Sequence, residues 1–250
     1  MSGHSKWSTI KRQKGANDAK RGALFTKVAR EISVAARVGG GDPEANYRLR
    51  LAIEKARSVN MPLDNIRRTI ERATGGGEGA AIEEIVYEGY GPGGVGVLVE
   101  AQTDNRNRTA GEVRSIFTKA GGQLAGSGAV AWQFQPRGFI AVARNGRDAD
   151  EVALAAIDAG ASDVDTDDPE TIEIYTEPAQ LERVRRALES AGIGVESAEA
   201  TMVARQPIKL DSTKARQALH LVEMLEELDD VQRVSANFEI PEDVFAEVAG

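Results

Sequence analysis

Cysteine is absent from the 250 residues, and histidine occurs only as His4 and His220. The first absence excludes a disulfide-stapled secreted domain, thiol catalysis, a Cys-based zinc site and iron–sulfur ligation. The second leaves almost nothing for a His-built metal centre. No apolar run reaches the roughly 18 residues a membrane span needs. Lys6, Lys11, Arg12 and Lys14 crowd the start with no apolar segment behind them, so the start does not read as a signal peptide. What remains, 41% hydrophobic and 28% charged, is ordinary for a soluble globular protein. The length suits one large domain or two to three small ones.

The net charge of −8 hides a split. Residues 1–75 hold 16 Lys and Arg against 7 Asp and Glu, net +9; residues 76–250 hold 15 against 32, net −17. A basic helical module is therefore attached to an acidic body, and a polyanion meets the basic end first. The alternative is a solvated face that only keeps a helix soluble.

The first 15 residues read as a polar arm, anchored by Trp7 and Ile10. From Asn17 the apolar period becomes helical, with Leu24, Val28 and Ile32 in line until Gly39-Gly40-Gly41. Asp42-Pro43 reads as the N-cap and first position of a second helix, running to Ser58 with Leu49, Ile53 and Ala56 inward. Asn60-Met61-Pro62 interrupts, and a third helix places Leu63, Ile66, Ile70 and Ala73 on one side. These stripes predict a three-helix bundle over 17–74.

Beyond Gly75-Gly76-Gly77 the period drops to two. Strands are expected at 82–90, 94–103 and 129–135, with a helix over 107–119 opened by the Thr109/Glu112 capping-box spacing. Residues 138–204 then read βαββαβ, the ferredoxin-like order. A helix at 212–228 and a strand at 231–238 return to the earlier pattern. The fold expected is α+β: an N-terminal three-helix bundle plus two ferredoxin-like α/β domains, the third inserted into the second. The boundaries are 1–77, then 78–136 with 207–240, with 137–206 inserted.

Several constellations fail as chemistry. Gly89-x-Gly91-x-Gly93-Gly94 lacks the spacing of a dinucleotide loop and reads as a hairpin turn. Asp163, Asp165, Asp167 and Asp168 lack the Gly and Glu of a calcium loop. Glu83-Glu84 and Glu226-Glu227 are adjacent pairs and do not face a common substrate as glycosidase carboxylates do. His220, among Leu219, Leu221 and Val222, reads as a packing residue. Ser5, Ser127 and Ser212 have no base partner in the neighbouring sequence. No enzyme, cofactor or metal is expected.

Three constellations point to nucleic acid. Lys6, Lys11, Arg12, Lys14, Lys20, Arg21, Lys27 and Arg30 can neutralise phosphates without reading sequence. Trp7 sits among them, either to stack on a base or to fold the arm onto the bundle. Thr103–Thr109 (TDNRNRT) lies between strand and helix, where Asn105, Arg106 and Arg108 can meet an anion. Equally, Asp104 and Asn105 can satisfy the loop while the arginines pair with the acidic body. Arg67, Arg68 and Arg72, with Arg48 and Arg50, rank third, because Glu54 and Glu71 can neutralise them.

These stretches carry a resemblance. Gly3-His4-Ser5-Lys6-Trp7, Asp18–Gly22, Phe25–Lys27, Gly39–Pro43, Asn60-Met61-Pro62 with Asp64-Asn65-Ile66, 103–109 and Gly126–Phe134 resemble the YebC/PmpR family. The resemblance covers nearly the whole chain. It implies a helical N-terminal domain and two α/β domains around a cleft, with no catalytic centre. Bacterial members are labelled cytoplasmic, DNA-binding transcriptional regulators. Mitochondrial relatives are translational activators, and some bacterial relatives are regarded as translation factors that help ribosomes past proline-containing stretches. By position the resemblance carries nucleic-acid contact to Lys6, Lys11, Arg12, Lys14, Lys20, Arg21 and the 103–109 loop. The partners implied are DNA, or ribosomal RNA and tRNA on the ribosome; no membrane is expected. The sequence shows no dimerisation element, so a monomer is expected.

Overall fold

The computed structural model describes residues 18–75 and 82–249. Helices α1 (Asp18–Gly39), α2 (Tyr47–Ser58) and α3 (Leu63–Thr74) form the N-terminal helical region. Val28, Ile32, Leu49, Ala52, Ile53, Ala56, Met61 and Ile66 make its buried core. Two expected core positions lie outside it: Leu24 is 37% and Leu63 55% exposed, while Phe25 packs in place of Leu24. The second helix starts later than Asp42-Pro43 suggests. Asp42 accepts from Glu44 N (2.9 Å) in a turn, and the cap is the buried Asn46. Its Oδ1 accepts from Leu49 N (3.0 Å), and its Nδ2 donates to Ala35 O and Gly40 O, both at 2.8 Å. One amide thus starts α2 and closes α1, a stronger solution than a surface Asp cap.

The first sheet has the order β3-β1-β2-β9, built from β1 (Glu83–Tyr90), β2 (Gly96–Thr103), β3 (Gln123–Ala125) and β9 (Val231–Ala236). Helices α4 (Arg106–Lys119) and α7 (Ser212–Glu226) supply Phe117, Leu221 and Leu225 to the core with Val97, Val99 and Val234. Of the strand expected at 129–135 only Phe134 and Gln135 are extended, and they open β4 (Phe134–Ala143) in the second sheet. Ala131–Gln133 form a 3-10 turn, and the edge beside β1 is taken instead by residues 123–125. Backbone at 128–131 donates to a buried carboxylate rather than to a ladder.

Gly89 on β1 is required by close approach. An added Cβ would lie 2.5 Å from Cε1 of the fully buried Phe117 and 2.8 Å from Gln123 O. Gly89→Ala is expected to destabilise by about 2 kcal/mol through overpacking, read as a lower urea midpoint with unchanged slope.

The second sheet has the order β5-β6-β4-β7 and is antiparallel throughout, from β4 (Phe134–Ala143), β5 (Asp163–Asp165), β6 (Thr171–Thr176) and β7 (Val195–Ala204). Helices α5 (Ala149–Ala159) and α6 (Leu181–Ser190) cover it through Val152, Val184 and Leu188, packed on Ile140, Ile172 and Ile174. The chain leaves the first sheet after β3, builds the second, and returns through α7 to add β9 beside β2. A short parallel pair, β8 (Ile208–Lys209) with β10 (Phe238–Glu239), and helix α8 (Glu242–Ala249) finish the described chain. Among the described residues no helix is long and apolar enough to cross a membrane.

Candidate nucleic-acid interface

The 103–109 loop folds around one buried carboxylate. Asn105, rather than the Thr109/Glu112 box, caps α4 by accepting from Arg108 N (3.1 Å). Thr109 is fully buried and serves a different contact. Its hydroxyl lies 2.6 Å from Asp230 Oδ2, which also takes Thr103 Oγ1 (3.0 Å) and Arg108 Nη2 (2.6 Å). Asp230 Oδ1 accepts from Arg30 Nη1 (2.6 Å). Burial pushes this carboxyl up, but the Thr109, Arg108 and Thr103 hydrogen bonds and the Arg30 charge bring it below the ordinary carboxylate range. Hydrogen bonds to Asp230 and Asp104 raise Arg108, which stays fully charged.

The same junction holds the C-terminal end of α7. Lys27 Nζ donates to Glu226 O, and Arg30 Nη1 also donates to Asp229 O (2.6 Å). Two cations at the negative end of a helix dipole are favourably placed. The structure therefore brings Lys27, Arg30, Asn105 and Arg108 together, but on protein partners. Arg106 differs: it is exposed, and its side chain makes no ion pair among the described residues, while its carbonyl accepts from Tyr87 (3.2 Å). Lys20 and Arg21 fall in the first turn of α1. Lys6, Trp7, Lys11, Arg12 and Lys14 lie outside the described residues.

Of the third-ranked arginines, only those of α3 are open. Arg48 pairs with Glu84, Lys55 with Glu31 (2.8 Å) and Arg50 with Glu182 (4.0 Å). Glu54 does not neutralise α3; it reaches Arg185 on α6 (3.2 Å). Arg67, Arg68 and Arg72 are exposed and make no ion pair among the described residues. Asn65, Arg68, Thr69 and Arg72 recur at i, i+3, i+4 and i+7, so they form one stripe without an acid on it.

The cleft between the helical region and the first sheet holds about 250 Å3, with Glu31, Arg48, Lys55, Glu84, Glu100 and Arg233 on its walls. Its cations pair with carboxylates, Arg48 with Glu84, Lys55 with Glu31 and Arg233 with Glu100 at 3.5 Å and Glu199 at 2.6 Å. Among the described residues no group of His, Asp or Glu could hold a metal ion. Asp168 is a buried turn acceptor for Glu170 N (2.8 Å) and Thr171 N (2.9 Å). His220 is a surface residue and not a packing one: its side chain is 67% exposed, 3.9 Å from Glu223.

Two residues escaped sequence reasoning. Glu88 is a buried carboxylate inside a strand, and Trp132 stands 70% exposed on the loop that Glu88 holds. A carboxylate in an otherwise apolar strand stretch was the only signal.

Comparison with known proteins covers the chain end to end. A family model described as the TACO1/YebC protein N-terminal domain matches residues 5–76, and one described as the TACO1/YebC second and third domain matches residues 82–238. A protein of Rubrobacter xylanophilus is 56% identical over 251 residues, covering 100% of both chains. One of Trichlorobacter lovleyi is 56% identical over 243 residues, 97% of this chain and 98% of its own. Both carry the name "Probable transcriptional regulatory protein". The crystal structure of a conserved hypothetical protein from Aquifex aeolicus is similar with a TM-score of 0.84 and 49% identity, over 90% of this chain and 93% of that one. With family models matching both the helical region and the two sheets, this chain belongs to the TACO1/YebC family.

Proposed function

We propose that the protein is a nucleic-acid-binding regulator of gene expression without catalytic chemistry, and that it acts on DNA in the cytoplasm as a regulator of transcription. The observation that carries this reading is the division of its cations. Arg30, Arg48 and Arg50 of α1 and α2 are matched by Asp230, Glu84 and Glu182 of the acidic body, whereas the α3 stripe makes no ion pair among the described residues. A stripe of arginine with asparagine and threonine whose guanidinium groups make no ion pair among the described residues suits phosphate oxygens. Relatives named for transcriptional regulation support the same reading. Contact is assigned to Lys6, Trp7, Lys11, Arg12, Lys14, Lys20, Arg21 and Arg106, with Arg68 and Arg72 added. Lys27, Arg30, Asn105 and Arg108 become the brace behind that surface.

The domain layout belongs to the proposal. The antiparallel sheet with β4 and β6 central, crossed by α5 and α6, supports a ferredoxin-like unit over 137–206. The return of β9 to β2 supports its insertion into a unit of 78–136 and 207–240. A second reading, an RNA contact on the ribosome, is favoured by the net −17 of residues 76–250, which suits basic ribosomal proteins better than naked DNA.

The test is binding of the full chain to labelled duplex DNA and to ribosomal RNA across a salt series. Lys11, Arg12, Lys14, Lys20 and Arg21 changed together to Glu should weaken binding by at least about a hundred-fold. Arg68→Ala with Arg72→Ala should lower the salt slope by about two. Tighter binding to ribosomal RNA than to DNA selects the second reading. Unchanged binding by the five-fold variant overturns the assignment.

A further inference from the structure

A tryptophan that leaves 70% of its surface in water is unusual, and Trp132 is not loosely held. Glu88 Oε1 accepts from Gly128 N (2.6 Å), and its Oε2 accepts from Val130 N (2.7 Å) and Ala131 N (2.8 Å). Val130, fully buried, pins the loop to the face of the first sheet beside Leu98 and Phe134. Tyr90 donates to Ala129 O (2.9 Å), and the indole Nε1 donates to the same carbonyl (3.1 Å). The single polar group of the ring is thereby used. What Trp132 offers to solvent is an oriented aromatic surface, with its ordering entropy already spent in folding.

A cation is bonded to the two residues that follow Trp132. Arg205 is exposed, its backbone N donates to Gln133 O (2.8 Å) and its Nε donates to Phe134 O (3.1 Å). These bonds orient the guanidinium at the residues that follow Trp132. It makes no ion pair among the described residues, so its two terminal nitrogens remain available for an anion.

We propose that Trp132 and Arg205 form a subsite for one unpaired nucleotide of a single strand, with the base stacked on the indole and the phosphate on the guanidinium. A flat aromatic platform with an unmatched cation bonded to the residues that follow it is the pairing a nucleotide needs, and an apolar protein partner would leave the arginine unanswered. The inference rests on the nucleic-acid reading above and extends it to a second place. The subsite lies at the Tyr90/Gly96 end of the first sheet, and the Asp230 junction lies at the Glu83/Thr103 end. Eight strand residues separate the two ends by roughly 25 Å. A strand that reaches it must cross the acidic body, so it is a separate contact and not an edge of the basic module.

The chain has two tryptophans, Trp7 and Trp132. In Trp7→Phe protein, Trp132 is the only indole emitter, and its fluorescence reports stacking while the anisotropy of a labelled oligonucleotide reports binding. A single-stranded oligonucleotide should quench Trp132 with the same midpoint as the anisotropy, and a duplex of equal length should bind without quenching. Adding Trp132→Ala should weaken single-strand binding about ten-fold, with Trp132→Phe recovering most of it. Arg205→Ala should lower the single-strand salt slope by about 0.7. Because both side chains are exposed, the urea midpoint of each variant should match the Trp7→Phe parent. Binding with no quenching and no effect of Trp132→Ala overturns the subsite and leaves the nucleic-acid reading intact. Equal quenching by duplex overturns base stacking. Absence of binding by the unsubstituted chain to any nucleic acid overturns both.

Discussion

Asp230→Ala is expected to lower the unfolding free energy by about 3 kcal/mol, measured as a drop in the urea midpoint. The side chain is 3% exposed and gathers two guanidinium groups and two threonine hydroxyls from two separate parts of the chain, α1 and the 103–109 loop. Its loss takes the acceptor from the buried Thr103 hydroxyl, a penalty of about 1–3 kcal/mol before relaxation, while the Thr109 hydroxyl keeps Asn105 O at 3.2 Å as a weaker acceptor. Arg30 and Arg108 soften the loss, since both are partly open to water and can rehydrate. Asp230→Asn keeps the shape and one acceptor oxygen, so it should fall between wild type and Ala. The pH dependence follows from the direction of the shift. The folded carboxyl lies below its ordinary value, so its stabilisation is fully present above about pH 4 and disappears as pH falls through the folded value. Wild type and Asp230→Ala should therefore converge in acid. A difference below about 1 kcal/mol at neutral pH would show that the junction does not hold the helical region to the sheet.

This junction also separates what the sequence could reveal from what it could not. The three helices, the order βαββαβ and the late helix and strand that rejoin the first sheet followed from apolar period and from glycine and proline punctuation, because those signals are local. The caps were misplaced where a local candidate competed with a better one. Asp42-Pro43 looked like a helix start, but Asn46 can satisfy two helix ends at once. Thr109 looked like a cap, but its hydroxyl is committed to a carboxylate 121 positions away. Arg30 and Lys27 were read as phosphate contacts, and their partners lie about 200 residues along the chain. Charge in sequence says which end is basic, yet only the packing of α1 on the end of α7 says which cations are left. That is why the third-ranked cluster on α3 became the open one.

Glu88→Ala is expected to have an effect as large, about 3–4 kcal/mol, and to be felt first in one loop. Three backbone N–H groups, of Gly128, Val130 and Ala131, share this carboxylate, and they have no strand partner to fall back on. Hydrogen bonds to a charged acceptor are worth about 1.5–3 kcal/mol each, and part of that returns when the loop peels off and hydrates. Hydrogen exchange at those three amides should accelerate beyond the change in global stability. Glu88→Gln offers one neutral acceptor and an amide group that points donor against donor, so it should recover less than half of the loss. Burial raises the Glu88 carboxyl, but the N–H groups of Gly128, Val130 and Ala131 bring it below its ordinary value. The loop is thus held above about pH 4 to 5 and loosens as pH falls through the folded value. Trp132 reports the event directly. In Trp7→Phe protein, Glu88→Gln should shift the emission to the red and diminish quenching by single strands, while arm-dependent binding to duplex persists. If exchange at Gly128, Val130 and Ala131 stays at wild-type rates in Glu88→Ala, the loop is held by Val130 and its apolar neighbours, and the carboxylate is dispensable to the platform.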